Sequence, residues 1–162
     1  MQTYTAYFKS PLGPIEIVAS PDSILLLHFV EEMLSGDGEL PFCQKECLKQ
    51  LDEYFKGERR KFFLNLQPAG TKFQKSVWRH LGKIPYGETT SYGAIADGLG
   101  KPKAGRAVGS ANGANPIAII IPCHRVIGSD GGLTGYGGGL WRKRWLIGFE
   151  KGEVAPPGDI SA

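Results

Sequence analysis

Ser91-Tyr92-Gly93-Ala94-Ile95-Ala96-Asp97-Gly98-Leu99-Gly100-Lys101-Pro102-Lys103-Ala104-Gly105-Arg106-Ala107-Val108-Gly109-Ser110-Ala111-Asn112 is the stretch on which the fold turns. Ser91 can cap a helix that carries Tyr92, Ile95, Ala96 and Leu99 at helical spacing, and Gly100-Lys101-Pro102 forces a tight turn. A further helix is expected from about Lys103 to Asn112. Two short helices joined by a Gly-containing turn make a helix-turn-helix, whose second member usually contacts DNA. Any two consecutive helices share that outline, so composition has to sharpen it. Ala104, Gly105, Ala107, Gly109, Ser110 and Ala111 leave Val108 as the only bulky apolar residue of the second helix, with Lys103 and Arg106 as its charges. Such a helix has little side chain for reading base edges, but it is slim enough to approach a backbone or a minor groove roughly 6 Å wide. Arg106 is then the one long side chain on a smooth surface. Small residues suit tight helix packing equally well, which is the competing reading.

Downstream, Ile121-Pro122-Cys123-His124-Arg125-Val126 places a thiol, an imidazole and a guanidinium consecutively after the apolar run Ile117-Ala118-Ile119-Ile120-Ile121. A thiol is a nucleophile only as thiolate, and cationic or imidazole neighbours favour that form. The alternative is that Cys123 is a small core residue, since free cysteine is among the most buried types. Adjacent residues on an extended strand face opposite ways, so His124 needs a local turn or a bridging water to act on Cys123. Farther on, Gly135-Tyr136-Gly137-Gly138-Gly139 reads as a flexible loop leading into a helix over Leu140 to Phe149. Trp141, Trp145, Leu146 and Phe149 are expected on its buried face, and Arg142, Lys143 and Arg144 on the other. Glu150 ends that helix, where the macrodipole disfavours a carboxylate, so an imidazole or cationic partner would explain it. An exposed, unpaired Glu is the commoner case.

Upstream, Thr71 followed three residues later by Gln74 forms a capping-box pattern, with Phe73, Val77, Trp78 and Leu81 as the apolar stripe and Ile84-Pro85-Tyr86-Gly87 as the stop. Pro68-Ala69-Gly70 looks like a join. Before it, Tyr4 to Lys9, Ile15 to Ala19 and Ile24 to Val30 read as a small antiparallel sheet, and Leu48, Leu51, Tyr54 and Phe55 as a helix covering one of its faces. Phe62 to Leu66 could add an extended piece. The fold class is therefore α+β: a small amino-terminal antiparallel sheet with a helix, then a mostly helical part holding the helix-turn-helix and the Cys123 loop. The expected domains are 1–69 and 70–152, with 153–162 a frayed tail.

At 162 residues and 41% hydrophobic content the chain can fill a real core. The net charge of +3 hides an asymmetry: residues 1 to 70 carry seven Lys/Arg against ten Asp/Glu, and residues 71 to 162 twelve against six. A basic second part suggests a polyanion partner, nucleic acid first, although surface lysines also serve solubility. Cys43, Cys47 and Cys123 are an odd number, and no stretch reads as a signal peptide or membrane span, so a reducing, cytoplasmic location is expected. Cys43 and Cys47, four apart on a helix, read as core cysteines rather than zinc ligands, with His28 the only nearby imidazole.

From Gly70 to Glu150 the chain resembles the O(6)-alkylguanine-DNA alkyltransferases. The matching strings are Gly70-Thr71-Lys72-Phe73-Gln74 with Val77-Trp78, Ile84 to Tyr92, Arg106-Ala107-Val108-Gly109, Ala111 to Ile117, and Ile121 to Gly128. The resemblance implies direct-reversal DNA repair in which Cys123 accepts the alkyl group from guanine O6 irreversibly, once per molecule and without a cofactor or metal. It implies that His124 acts as base through a water with Glu150 orienting it, that Tyr92 gives a proton or hydrogen bond to the purine, and that Asn115 is a hinge between helix-turn-helix and active-site loop. Arg106 would replace a flipped-out nucleotide in the stack of double-stranded DNA bound through its minor groove. Lys103, Ala107, Gly109 and Arg125 would join it in the DNA contact, and Tyr136, Gly137 and Val126 would line the pocket. A monomer is expected. Two departures stand out: Gly137 lies where some relatives carry a serine hydroxyl, and Ala118 where some carry proline. A lesion-binding protein without transfer is disfavoured by the presence of Cys123, and a cysteine hydrolase by the adjacency of Cys123 and His124, which offers neither direct contact nor an evident oxyanion hole.

Overall fold

The computed structural model describes residues 2–156. The chain divides into two compact units, one built on the residues up to Pro68 and one on Ala69–Ala155. The first holds strands β1 (Tyr4–Ser10), β2 (Gly13–Ala19) and β3 (Ile24–Phe29), antiparallel in that spatial order. Alternation along β2 sends Ile15, Ile17 and Ala19 inward, where they meet Ala6 of β1 and Leu27 of β3. Helix α1 (Phe42–Phe55) closes this face with Cys47, Leu51, Tyr54 and Phe55, and Phe55 stacks on Phe8 at 6.0 Å between ring centroids. Gln44, also buried, donates from Nε2 to the carbonyls of Tyr4 and Ile17, so a polar side chain fastens helix to sheet. Cys47 is fully buried, its thiol pushed up to about 12 by burial, while Cys43 is only partly covered. The extended piece expected at Phe62 to Leu66 reduces to one parallel bridge between Ile24 and Leu66, made through the Asn65 carbonyl and the Gln67 amide.

The second unit comprises α2 (Lys72–Leu81), β4 (Thr90–Ser91), α3 (Tyr92–Gly98), α4 (Gly105–Gly113), a single 3-10 turn at Cys123–Arg125, β5 (Val126–Ile127) and α5 (Leu140–Glu150). The capping box at Thr71 and Gln74 forms in both directions, and Ser91 caps α3 through the Ala94 amide. Each cap contributes on the order of 1 kcal/mol. Trp78 is the keystone of the packing: its indole N–H donates to the Ala111 carbonyl of α4 at 2.8 Å, and a Cβ at Gly70 would collide with its ring. The fold class is thus as the sequence implied.

Two details differ. Helix α4 begins at Gly105, because the Ala104 amide bonds back to the Lys101 carbonyl and closes the turn over Lys101 to Ala104, leaving Lys103 before the helix rather than on it. On α5 the buried face runs through Lys143, Leu146, Phe149 and Glu150, whereas Trp141 is 54% exposed. Three- and four-residue steps back from Phe149 and Leu146 reach 146, 145, 143 and 142, never 141, so the stripe continues through a lysine. At the chain's end, Glu153 and Val154 donate backbone hydrogen bonds to the Gly148 carbonyl; the rest of the expected tail, 157–162, lies outside the described residues.

Candidate active site

Helix α4 hides Val108, Ala111 and Asn112 and exposes Arg106, Ala107, Ser110 and Gly113, so its outer face carries a single long side chain. The inner face reaches the nucleophile. Asn112 donates from Nδ2 to the Cys123 carbonyl at 3.3 Å, and Asn115, just past the helix, donates to the Ile121 carbonyl at 2.8 Å while its Oδ1 accepts from the Ile117 amide at 3.0 Å. Two amide side chains thereby tie the helix to the segment carrying Cys123. Within that segment Ile119 holds φ at 69°, a left-handed conformation that costs a β-branched residue on the order of 1–3 kcal/mol. Ile117, Ile119 and Ile121 are all buried, and their packing offsets that cost.

Cys123 does not lie on an extended strand. A 3-10 turn, entered from Pro122, holds it in place of the extended strand, and β5 then pairs in parallel with β4, setting the turn next to the start of α3. Only 6% of Cys123 is exposed. Burial raises its thiol above the ordinary cysteine value, with the Asn115 side chain and the Lys143 charge pulling the other way. The Asn115 amide and the Lys143 cation therefore soften the cost of forming the thiolate without overcoming desolvation.

His124 is fully buried, and its Nε2 lies 2.8 Å from Glu150 Oε2. The carboxylate accepts there, so Nε2 carries a proton; Nδ1 is buried with no hydrogen-bond partner among the described residues. Arg125 corrects an expectation. Its side chain does not reach outward to DNA but is buried, donating from Nε to Glu150 Oε1 at 2.7 Å, from Nη2 to Oε2 at 3.0 Å and from Nη1 to the Ile84 carbonyl at 2.7 Å. Each of its three guanidinium nitrogens thus holds Glu150 or the loop before β4. Burial alone would raise the Glu150 carboxyl; the charges and hydrogen bonds of His124 and Arg125 outweigh it and hold the group well below the usual carboxylate range.

Tyr92, at the start of α3, exchanges hydrogen bonds with Thr134: its Oη donates to the Thr134 carbonyl at 3.2 Å and accepts from the Thr134 hydroxyl at 3.1 Å. Lys143, which sequence reasoning placed on the solvent face of α5, is fully buried beside it. Its Nζ donates to the Thr134 carbonyl at 2.7 Å and to Tyr92 Oη at 3.5 Å and sits 5.8 Å from the Tyr92 ring centre. Its place in the sequence between two arginines masked it; the three-residue step from Leu146 was the available signal. In the glycine-rich loop, the Tyr136 hydroxyl is buried without a hydrogen-bond partner among the described residues, pushed well above the ordinary phenol value chiefly by burial and further by the nearby Cys123. Gly137 is exposed, and Val126 is buried with its amide on the Cys123 carbonyl. A Cβ on Gly109 would come within 3.8 Å of the Tyr92 ring, so α4 lies close against the site. Lys103 is exposed in the turn.

These features define a helix-turn-helix protein in which a buried cysteine, Cys123, adjoins a buried His124-Glu150-Arg125 cluster. Residues 72–152 match the family model described as the 6-O-methylguanine DNA methyltransferase DNA binding domain, and residues 3–68 that of its ribonuclease-like domain. The chain is 48% identical over 152 residues to a methylated-DNA-protein-cysteine methyltransferase of Methanosarcina acetivorans, covering 91% of this chain and 97% of that one. It is 52% identical over 150 residues to the protein of that name from Mycobacterium leprae, with 90% of each covered. Among solved structures, the O6-methylguanine methyltransferase of Mycobacterium tuberculosis superposes with a TM-score of 0.84 at 44% identity over 99% of this chain and 98% of that one. A complex of the M. tuberculosis protein with DNA gives 0.82 at 48% identity, covering 92% and 93%. The chain belongs to the 6-O-methylguanine DNA methyltransferase family.

Proposed function

We propose that this protein repairs DNA by direct reversal, moving the alkyl group from O6 of guanine onto Cys123, once per molecule. Its close relatives are named as methyltransferases that use a protein cysteine, and one M. tuberculosis relative is solved on DNA. The observation that supports the residue assignment is the pair of amide links, from Asn112 of α4 to the Cys123 carbonyl and from Asn115 just past the helix to the Ile121 carbonyl, which tie the segment carrying Cys123 to a smooth helix bearing one arginine.

In this reading a single protomer lays α4 along the minor groove, Ala107 and Gly109 allow close approach, Lys103 meets a phosphate, and Arg106 fills the stack while the damaged base turns out beneath Tyr136 and Gly137, beside Val126. His124 Nδ1 takes the Cys123 proton through a water, and Glu150 stabilises the imidazolium across Nε2. The sulfur then attacks the alkyl carbon; the carbon-O6 bond breaks, and its electrons pass into the purine. Tyr92 supplies a proton or hydrogen bond to the ring, and the Lys143 ammonium beside its oxygen offsets the charge left there. Asn115 holds the hinge. No described helix is long and apolar enough to cross a membrane, and the proposed site of action is DNA in the cytoplasm.

Intact-protein mass after incubation with duplex DNA carrying O6-methylguanine tests the reading. One added methyl per molecule, lost in Cys123→Ala, is expected. Binding without a mass change would point instead to a lesion-binding protein, and repeated turnover on an ester or peptide to a hydrolase.

A further inference from the structure

A cleft of about 470 Å³ opens on the second unit between α2 and the turn that joins α3 to α4, lined by Lys72, Phe73, Ser76, Arg79, Leu99 and Lys101. Three of the six lining residues are cationic and none is acidic. Phe73 and Leu99 give it an apolar floor, and Lys101 Nζ rests 5.3 Å from the Phe73 ring centre, fixing the turn of the helix-turn-helix against the first turn of α2. Lys72 and Arg79 are both exposed and seven residues apart, on one face of α2 about 10 Å along its axis.

We propose that this cleft is a second track for the backbone of the same duplex, with Lys72 and Arg79 on phosphates and the Phe73-Leu99 floor against deoxyribose. The inference rests on the DNA-binding reading above and extends it to a helix outside the helix-turn-helix. Continuity supports it: Lys101 belongs both to the cleft and to the turn preceding α4. Charge supports it too, because a rim of three cations without a carboxylate suits a polyanion.

Binding of an undamaged, dye-labelled 20-base-pair duplex, followed by anisotropy from 50 to 250 mM KCl, tests it. The double variant Lys72→Ala/Arg79→Ala should weaken binding about tenfold at 100 mM KCl and flatten the log-log salt slope by about 1.8, since each lost phosphate contact removes about 0.9. Lys45→Ala/Lys49→Ala, which removes the same charge from exposed positions of α1, should leave the slope nearly as it is. An unchanged slope in the first variant, or an equal loss in the second, would overturn the proposal. A wild-type protein that binds no duplex at all would instead overturn the DNA-binding reading beneath it.

Discussion

Lys143 Nζ lies 3.5 Å from Tyr92 Oη, and the same ammonium donates to the Thr134 carbonyl. A buried cation whose partners are a phenol and a carbonyl is expensive to fold, and Cys123 feels its charge. Methionine is of similar length and removes the ammonium. Lys143→Met is expected to slow alkyl transfer by about 10- to 100-fold, or about 1.4–2.8 kcal/mol of barrier. The loss should be equal on methylated duplex and on free O6-methylguanine base, because the contact is internal to the site. Thermal unfolding should show the variant as stable as the native protein or more so, since apolar replacement of a buried charge is often neutral or stabilising. Native transfer rates would remove the ammonium from the chemistry.

Arg106 should behave in the opposite way. It is exposed on the outer face of α4. Arg106→Ala is expected to cut the rate on duplex DNA at least tenfold and to leave the free-base reaction intact. Single-turnover rates on the two substrates, measured side by side, check this; equal losses would take away its role in the extruded state.

The thiol of Cys123 is raised by burial, so at neutral pH it rests protonated in the free protein. Modification by iodoacetamide is accordingly expected to be slow at pH 7 and to climb without a plateau through pH 9, then to accelerate sharply in urea, where the thiol regains a value of about 8.5. A plateau near pH 6 in the folded protein would show that Asn115 and Lys143 together win over desolvation.

Glu150 has a carboxyl held low by His124 and Arg125, so its folded value lies below the unfolded one. Stability from this source is fully present above the unfolded value of about 4.3 and is lost as pH falls through the folded value. Glu150→Gln leaves Arg125 without its counter-charge and is expected to cost about 3 kcal/mol at pH 7. Urea midpoints at a series of pH values should show the gap between variant and native protein narrowing below about pH 4. A gap that stayed constant down to pH 3 would contradict the low carboxyl.

The elements that could be read from sequence are those whose cause is local. Thr71-Gln74 and Ser91 announce α2 and α3 because a cap needs only neighbouring residues, and the alternation of Ile15, Ile17 and Ala19 announces a half-buried strand. Glu150 was also legible, since a carboxylate at the C-terminus of a helix asks for a partner. Arg125 and Lys143 were not. Lys143 is a charge among charges in the sequence and Arg125 a lone basic residue that could as well face outward; what buries them is the meeting of α5 with the Ile84 loop and the Cys123 segment for Arg125, and with Tyr92 and Thr134 for Lys143, a tertiary fact without a local signature. Lys101 beside Phe73 is hidden for the same reason.

The two asparagine amides that bind α4 to the Cys123 turn set a limit for protein engineering. A Pro-Cys-His-Arg string moved into another helix-turn-helix would arrive without Asn112, Asn115, Glu150 or the left-handed Ile119 that shapes its approach. The smallest portable module is then the unit over Ala69–Ala155, moved whole, and a self-labelling tag cut shorter than that would keep the thiol and lose its address.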